Sequence, residues 1–174
     1  MTAIVALVDN GRAWMGGDSA ANYDDAIEAW SNPKVFRAGE YLVGFTGSFR
    51  LGQLLQHGSH FTPLPPGHDI MAHMVTVVTA DLKKLVGKSA PDELLIVHSG
   101  RLFKIGSDYA VGEYPAYAAV GSGKAWALGN LFGSTGEPTE RILRALGAAQ
   151  ANCGSVRAPF YVKVAGATHK GRLA

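Results

Sequence analysis

The residue best placed to do chemistry in this 174-residue chain is its second, Thr2. It is small, and Ala3 behind it adds no bulk, so removal of Met1 would leave Thr2 as the first residue. A free Thr2 would carry a nucleophilic hydroxyl and a base, its own α-amine, on one residue. Such an amine titrates at roughly 7.7–8.0 when unperturbed, so a useful fraction is neutral near pH 7. A terminal amine that activates a threonine hydroxyl is a known nucleophile–base pairing. Many unrelated chains begin Met-Thr, so the dipeptide needs support from elsewhere in the sequence.

Three polar islands interrupt otherwise apolar segments: Gly16-Gly17-Asp18-Ser19, Asn32-Pro33-Lys34 and Gly121-Ser122-Gly123. An acid at one strand end and a lysine at a later strand start could pair across neighbouring strands. A buried Lys34 ammonium held by Asp18 would place positive charge beside Thr2. That charge disfavours protonation of the α-amine and helps it act as a base. Read without context, Asp18 and Lys34 are an ordinary surface ion pair or unrelated turn residues. Gly121-Ser122-Gly123 is then a plain strand-to-helix turn.

Other chemistries fit less well. A phosphate loop ending at Lys124 would need glycine at 118 and a hydroxyl at 125, and both positions are alanine. The Gly-x-Ser-x-Gly pattern of a nucleophile elbow is missing around Ser122. His57, His60, His68 and His73 cluster in sequence, but no acid or cysteine stands at a zinc spacing and a proline-rich stretch divides them. They read as solvated histidines, with no metal site. Cys153, the single cysteine, reads as a buried small residue rather than a nucleophile.

The elements that must position these residues alternate between hairpins and helices. Residues 2–8 and 12–17 form strands across the Asp9-Asn10-Gly11 turn signal. Residues 18–33 are polar and read as a loop or irregular excursion. Residues 34–37 and 41–46 make a second hairpin, 93–97 and 101–105 a third, and 114–120 and 159–164 are further strands. Ser48 stands at an N-cap before the apolar face of Phe49, Leu51, Leu54 and Leu55. Further helices are expected over 69–87, 124–132 and 139–151, the last with Pro138 at its start. Hairpins segregated from helix pairs imply antiparallel sheets with helices layered outside them, an α+β fold.

Size and composition favour one globular domain over residues 1–174. With 17% charged residues, a net charge of +2 and no basic run, no nucleic-acid surface is expected. The apolar run at 2–8 is too short to span a membrane and lacks the basic start of a signal peptide. A lone cysteine fits a reducing cytoplasm.

Taken together, Thr2-Ala3-Ile4-Val5-Ala6, Gly17-Asp18-Ser19, Asn32-Pro33-Lys34-Val35, Val43-Gly44-Phe45-Thr46-Gly47 and Ala119-Val120-Gly121-Ser122-Gly123 resemble a known pattern. The chain is similar to the proteasome β-subunit family of N-terminal-nucleophile hydrolases, most closely its HslV-type bacterial branch. The resemblance implies a four-layer αββα sandwich, two antiparallel sheets between helix pairs. It implies Thr2 as the nucleophile, its amine as general base, Lys34 as the group that lowers the amine pKa and Asp18 as the holder of Lys34. Ser122 takes the position that hydrogen-bonds the amine, and the Gly47 N–H that of the oxyanion donor. Ala21, Phe36, Thr46 and Arg50 fall near positions that shape the substrate pocket, and Ser19, Asn152 and Ser155 lie beside the site.

The chain departs from the family in places. Asp18 is followed by Ser-Ala, as in proteasome β-subunits rather than HslV, and the family's Asp-x-x-Ser appears as Asn152-x-x-Ser155. Residues 165–174 are polar and match neither group. The implied activity is hydrolysis of unfolded polypeptides in the cytoplasm by a homo-oligomeric double ring served by an AAA+ unfoldase ATPase. No cofactor, metal, nucleic acid or membrane is implied. The alternatives are a non-catalytic ring or shell subunit, and an N-terminal-nucleophile amidohydrolase acting on a small amide.

Overall fold

The Asn10-Gly11 turn joins β1 (Ile4–Asp9) to β2 (Arg12–Gly17), and this hairpin is the centre of the first sheet. In this computed structural model, residues 2–23, 26–58, 61–87 and 91–166 are described. β10 (Tyr117–Val120) pairs with the free edge of β1, and β11 (Tyr161–Gly166) with that of β2, giving the order β10-β1-β2-β11. The second sheet follows the chain: β5 (Val35–Ala38), β6 (Tyr41–Phe45), β7 (Leu94–His98), β8 (Arg101–Ile105) and β9 (Val111–Tyr114). Every pairing in both sheets is antiparallel.

Strand alternation sends one set of side chains to each face, and the two sheets use this to share a core. Ile4, Ala6, Ala13 and Met15 from the first sheet meet Val35, Leu42, Leu95, Val97 and Leu102 from the second, all buried. The opposite face of the first sheet, through Val5 and Leu7, packs on α4 (Lys124–Gly133) and α5 (Pro138–Asn152) by way of Ala127, Leu131, Ile142 and Leu146. The opposite face of the second sheet, through Val43, Phe45, Ile96 and Phe103, packs on a helical layer of its own. That layer holds α1 (Phe49–His57), capped by Ser48, and a longer helix capped by Asp69. The longer helix runs as α2 (Ile70–His73), a π-helical turn (Met74–Val78) and α3 (Thr79–Val86). The four layers are helix, sheet, sheet and helix, and the fold class is α+β.

Three expectations need correction. Residues 18–33 contain a two-stranded hairpin, β3 (Ala20–Tyr23) with β4 (Ala26–Ala29). β4 is exposed throughout, so its sequence carries no apolar alternation to announce it. The single strand expected over 114–120 is two: β9 ends at Tyr114 in the second sheet, and β10 begins at Tyr117 in the first. Pro115 lies in the link and cannot donate a ladder hydrogen bond, so the chain changes sheets there. His73 is not solvated: it is buried, with Nε2 3.1 Å from the Tyr41 hydroxyl and 3.0 Å from the Thr62 carbonyl. His57 and His68 are exposed, and His60 lies outside the described residues.

Candidate active site

Antiparallel pairing gathers strand ends, and the site lies where they meet. β1 starts beside the end of β2, with Ile4 opposite Gly17, and beside the end of β10, with Ile4 opposite Val120. Continuing those registers past the strand ends brings Asp18 opposite Ala3 and Ser122 opposite Thr2. From the second sheet, the start of β5 supplies Lys34 and the end of β6 supplies Thr46 and Gly47. The Lys34 carbonyl accepts from the Phe45 N–H, which locks those two ends together.

The polar groups form one connected, buried network. Lys34 Nζ donates to Thr2 Oγ1 at 2.7 Å and to Asp18 Oδ1 at 2.9 Å. Thr2, Asp18 and Lys34 are 3%, 0% and 1% exposed, which rules out the ordinary surface ion pair. Asp18 also accepts from the backbone N–H groups of Ala3 at 3.1 Å, Ala20 at 3.0 Å and Arg157 at 3.4 Å, so its charge is fully solvated by the protein. Burial pushes the Lys34 pKa below its ordinary value, and the Asp18 charge and hydrogen bond oppose that shift. The Phe49 ring lies 5.5 Å from Lys34 Nζ and packs at a tilt on Trp30 and edge to face on Phe45, so aromatic surface walls the ammonium on one side.

Thr2 is held from the other side by the turn after β10. Its N–H donates to Ser122 Oγ at 3.2 Å, and its carbonyl accepts from Gly123 N–H at 3.2 Å and Ser122 Oγ at 3.3 Å. Gly121 has φ +92°, and the Thr2 carbonyl occupies the space a Cβ there would need, so only glycine fits. Gly47 is constrained likewise, with φ +71° and the Asp92 carboxylate where its Cβ would point. Met1 lies outside the described residues.

The remaining expected site residues divide. Ser155 Oγ lies 3.0 Å from Ser122 Oγ and extends the network. Ser19 is buried behind Asp18, its hydroxyl donating to the Pro159 carbonyl and its N–H to the Arg157 carbonyl. Thr46 is buried, with Oγ1 donating to the Glu93 carbonyl at 2.8 Å. Ala21 is buried in β3, and Phe36 lies in the core beneath the second sheet, 6.0 Å from the Phe45 ring. Arg50 lines a cleft along α1 with Gln53, Leu54 and His57. Asn152 is exposed, with Nδ2 donating to the Ala148 carbonyl of its own helix.

Cys153 takes part where Asn152 does not. It is half-buried rather than buried as expected, with Sγ 3.2 Å from Ser155 Oγ and 3.6 Å from Ser122 Oγ. Burial would raise its thiol pKa, but hydrogen bonds with Ser155 and Ser122 outweigh that and lower it. Phe49, Trp30 and Glu93 also escape the sequence reading. The aromatic pair gives only a weak cue, two large apolar residues flanking the Lys34 segment. Among the described residues no cluster of histidine, cysteine and acid side chains could hold a metal ion.

No family model matches the sequence, and no curated protein matches it. Solved structures do match its fold over nearly its whole length. Thiobacillus denitrificans BPH in complex with epoxomicin is 22% identical, with TM-score 0.75, over 94% of this chain and 98% of that one. Eukaryotic HslV from Trypanosoma brucei is 16% identical, with TM-score 0.67, over 94% and 98%. The Anbu (Gly-1) mutant from Hyphomicrobium sp. strain MC1 is 16% identical, with TM-score 0.74, over 95% of this chain and 82% of that one. The fold is the proteasome-like N-terminal-nucleophile fold. Within it the Thr2 network sits where the ends of β1, β2, β5, β6 and β10 meet. No helix among the described residues is long and apolar enough to cross a membrane.

Proposed function

We propose that this chain is a threonine peptidase, a single proteasome-like domain over residues 1–174 that becomes active when Met1 is removed. The observation that carries the reading is the 2.7 Å bond from a buried, ion-paired Lys34 ammonium to Thr2 Oγ1. That bond stabilises negative charge developing on the hydroxyl oxygen as its proton leaves. The freed α-amine takes the proton, and Ser122 Oγ, already within reach of Thr2 N, holds that amine in position. Thr2 Oγ1 attacks the scissile carbonyl, the Gly47 N–H receives the oxyanion, and collapse expels the amine half of the substrate as the α-ammonium gives its proton to the leaving nitrogen. Water then cleaves the ester on Thr2 and regenerates the hydroxyl. Asp18 keeps Lys34 charged against the burial that favours its neutral form.

The same reading makes the substrate an unfolded polypeptide. It places the chain in a cytoplasmic homo-oligomeric double ring fed by an AAA+ unfoldase ATPase. Thr46 at the end of β6 and Ala21 on β3 are its substrate-contacting positions nearest the network. The structural likeness to BPH, solved in complex with epoxomicin, supports a test with that inhibitor.

The N-terminal mass of the purified protein should show Met1 absent. Cleavage of a fluorogenic peptide should vanish in Thr2→Ala, and epoxomicin should add one inhibitor mass to the wild type only. Peptide cleavage retained by Thr2→Ala would end the peptidase reading. Persistence of Met1 together with no epoxomicin adduct would leave a non-catalytic shell subunit.

A further inference from the structure

Glu93, the residue before β7, is bonded to both halves of the site, and the mechanism above makes no use of it. Its backbone carbonyl accepts from Thr46 N–H at 3.3 Å and from Thr46 Oγ1 at 2.8 Å, which fixes the end of β6 just before Gly47. Its carboxylate accepts from Gly121 N–H at 3.4 Å, at the head of the turn that carries Ser122. Two ammonium groups hold that carboxylate in place, Lys104 at 2.6 Å and Lys124 at 3.0 and 3.1 Å. Burial would raise the Glu93 pKa, but the bonds from Lys104, Lys124 and Gly121 outweigh it, so the group stays ionised through the neutral range.

The turn anchored this way has little slack. The Thr2 carbonyl fills the space beside Gly121, and Gly123 and Ser122 both bond that carbonyl. A shift of Gly121 therefore moves Ser122 and Thr2 together, away from Gly47 on the other sheet. We propose that Glu93 is a positioning residue that fixes the separation between the Gly47 N–H and the Thr2–Ser122 pair by tying the two sheets together at the site. The proposal rests on the peptidase reading for its kinetic consequence, and on the hydrogen bonds alone for its structural one.

Glu93→Gln and Glu93→Asp separate this role from a purely electrostatic one. Glutamine keeps the length but loses the charge, and with its oxygen on Gly121 its amide NH2 would face the Lys104 and Lys124 ammonium groups. Aspartate keeps the charge for Lys104 and Lys124 but falls short of Gly121 by one methylene. Positioning predicts that Glu93→Asp lowers kcat about 10–10²-fold with KM within about twofold, as a misplacement of the reacting groups would. Glu93→Gln should lower kcat as well, because it loses the two ion pairs that hold the side chain at Gly121. Amide hydrogen exchange over residues 117–123 should accelerate in both variants. An Asp variant identical to wild type in kcat and exchange overturns the proposal; with Gln alone impaired, the result points to charge rather than position. A wild-type protein without turnover sinks the peptidase reading instead, and exchange in the Asp variant then decides the anchoring.

Discussion

Two ion pairs in this molecule look alike on distance and differ in almost everything else. Arg101 and Glu113, on β8 and β9, meet through two bonds of 2.7 Å, with side chains 42% and 36% exposed. Lys34 and Asp18 meet through one bond of 2.9 Å, with side chains 1% and 0% exposed. By contact geometry alone the surface pair is the stronger. Burial reverses that ranking of importance: for Lys34 the desolvation outweighs its partner and the pKa falls, whereas for Arg101 the Glu113 hydrogen bond outweighs burial and the pKa rises. A surface pair is held in water that would solvate either partner alone. A buried pair exists because neither partner can be removed cheaply, and such pairs are poor devices for stability. Its presence beside Thr2 is therefore better explained by chemistry than by folding.

The largest expected effect comes from breaking the buried pair on one side. Asp18→Asn leaves the Lys34 ammonium buried without its counter-charge and should cost about 3–5 kcal/mol, read from urea unfolding at pH 7. On the peptidase reading, peptide hydrolysis should fall about 10²–10⁴-fold, because that reading makes proton transfer at Thr2 depend on the charge that Asp18 sustains. The pH dependence has a definite sign. Lys34 has a folded pKa below its unfolded value, so between the two the unfolded chain binds more protons and stability rises with pH. The contribution is complete above the unfolded value and lost as pH falls through the folded one. Asp18 opposes the shift, so Asp18→Asn widens this window downward and steepens the rise in stability between neutral and alkaline pH. Equal slopes in variant and wild type would mean that Lys34 is not desolvated as the structure has it.

A second variant sharpens the contrast by separating stability from activity. Adding Lys34→Met to Asp18→Asn removes the stranded charge and fills the same space with an apolar chain. Stability should recover by about 1–4 kcal/mol over the single variant, while hydrolysis stays lost. The double variant carries Asp18→Asn rather than an apolar replacement because the Ala3, Ala20 and Arg157 N–H groups still need an acceptor. Recovered activity in the double variant would mean that Thr2 needs no neighbouring ammonium.

What can be read in advance follows from how far apart the deciding residues lie along the chain. Thr2, Asp18 and Lys34 are legible as polar residues at the ends of short apolar strands; hairpin register brings Asp18 opposite Ala3, whereas Lys34 reaches them from the second sheet. Ser122 is legible only through the family resemblance, since by itself Gly121-Ser122-Gly123 reads as a plain turn. Glu93 and Cys153 are not, since Glu93 meets Thr46, Gly121, Lys104 and Lys124, and Cys153 meets Ser122, across stretches of chain that leave no local pattern. The spacing of Asn152 to Ser155 at a helix end does not say which way the Asn152 side chain turns, and it bonds the Ala148 carbonyl. The β3–β4 hairpin is hidden because an exposed strand needs no apolar alternation. The sheet change at Pro115 is hidden because β9 and β10 both read as strand.

The smallest effect is expected at the surface pair, and it tests the other side of the comparison. Arg101→Met removes two short bonds yet leaves Glu113 in contact with water, which replaces the lost partner. The cost should stay under about 1 kcal/mol despite the bidentate geometry. Whatever cost is seen should shrink further in 1 M salt, where charges are screened beyond about 3 Å. Part of the change can come from packing, because the Arg101 guanidinium lies 5.5 Å from the centre of the Phe103 ring and methionine covers that face differently. Salt distinguishes the two: a Coulombic loss falls with ionic strength, and a packing loss does not. A cost of several kcal/mol that falls with ionic strength would show that exposure is a poor guide to the worth of ion pairs in this protein. Lys34 and Asp18 could then be kept for stability as readily as for chemistry.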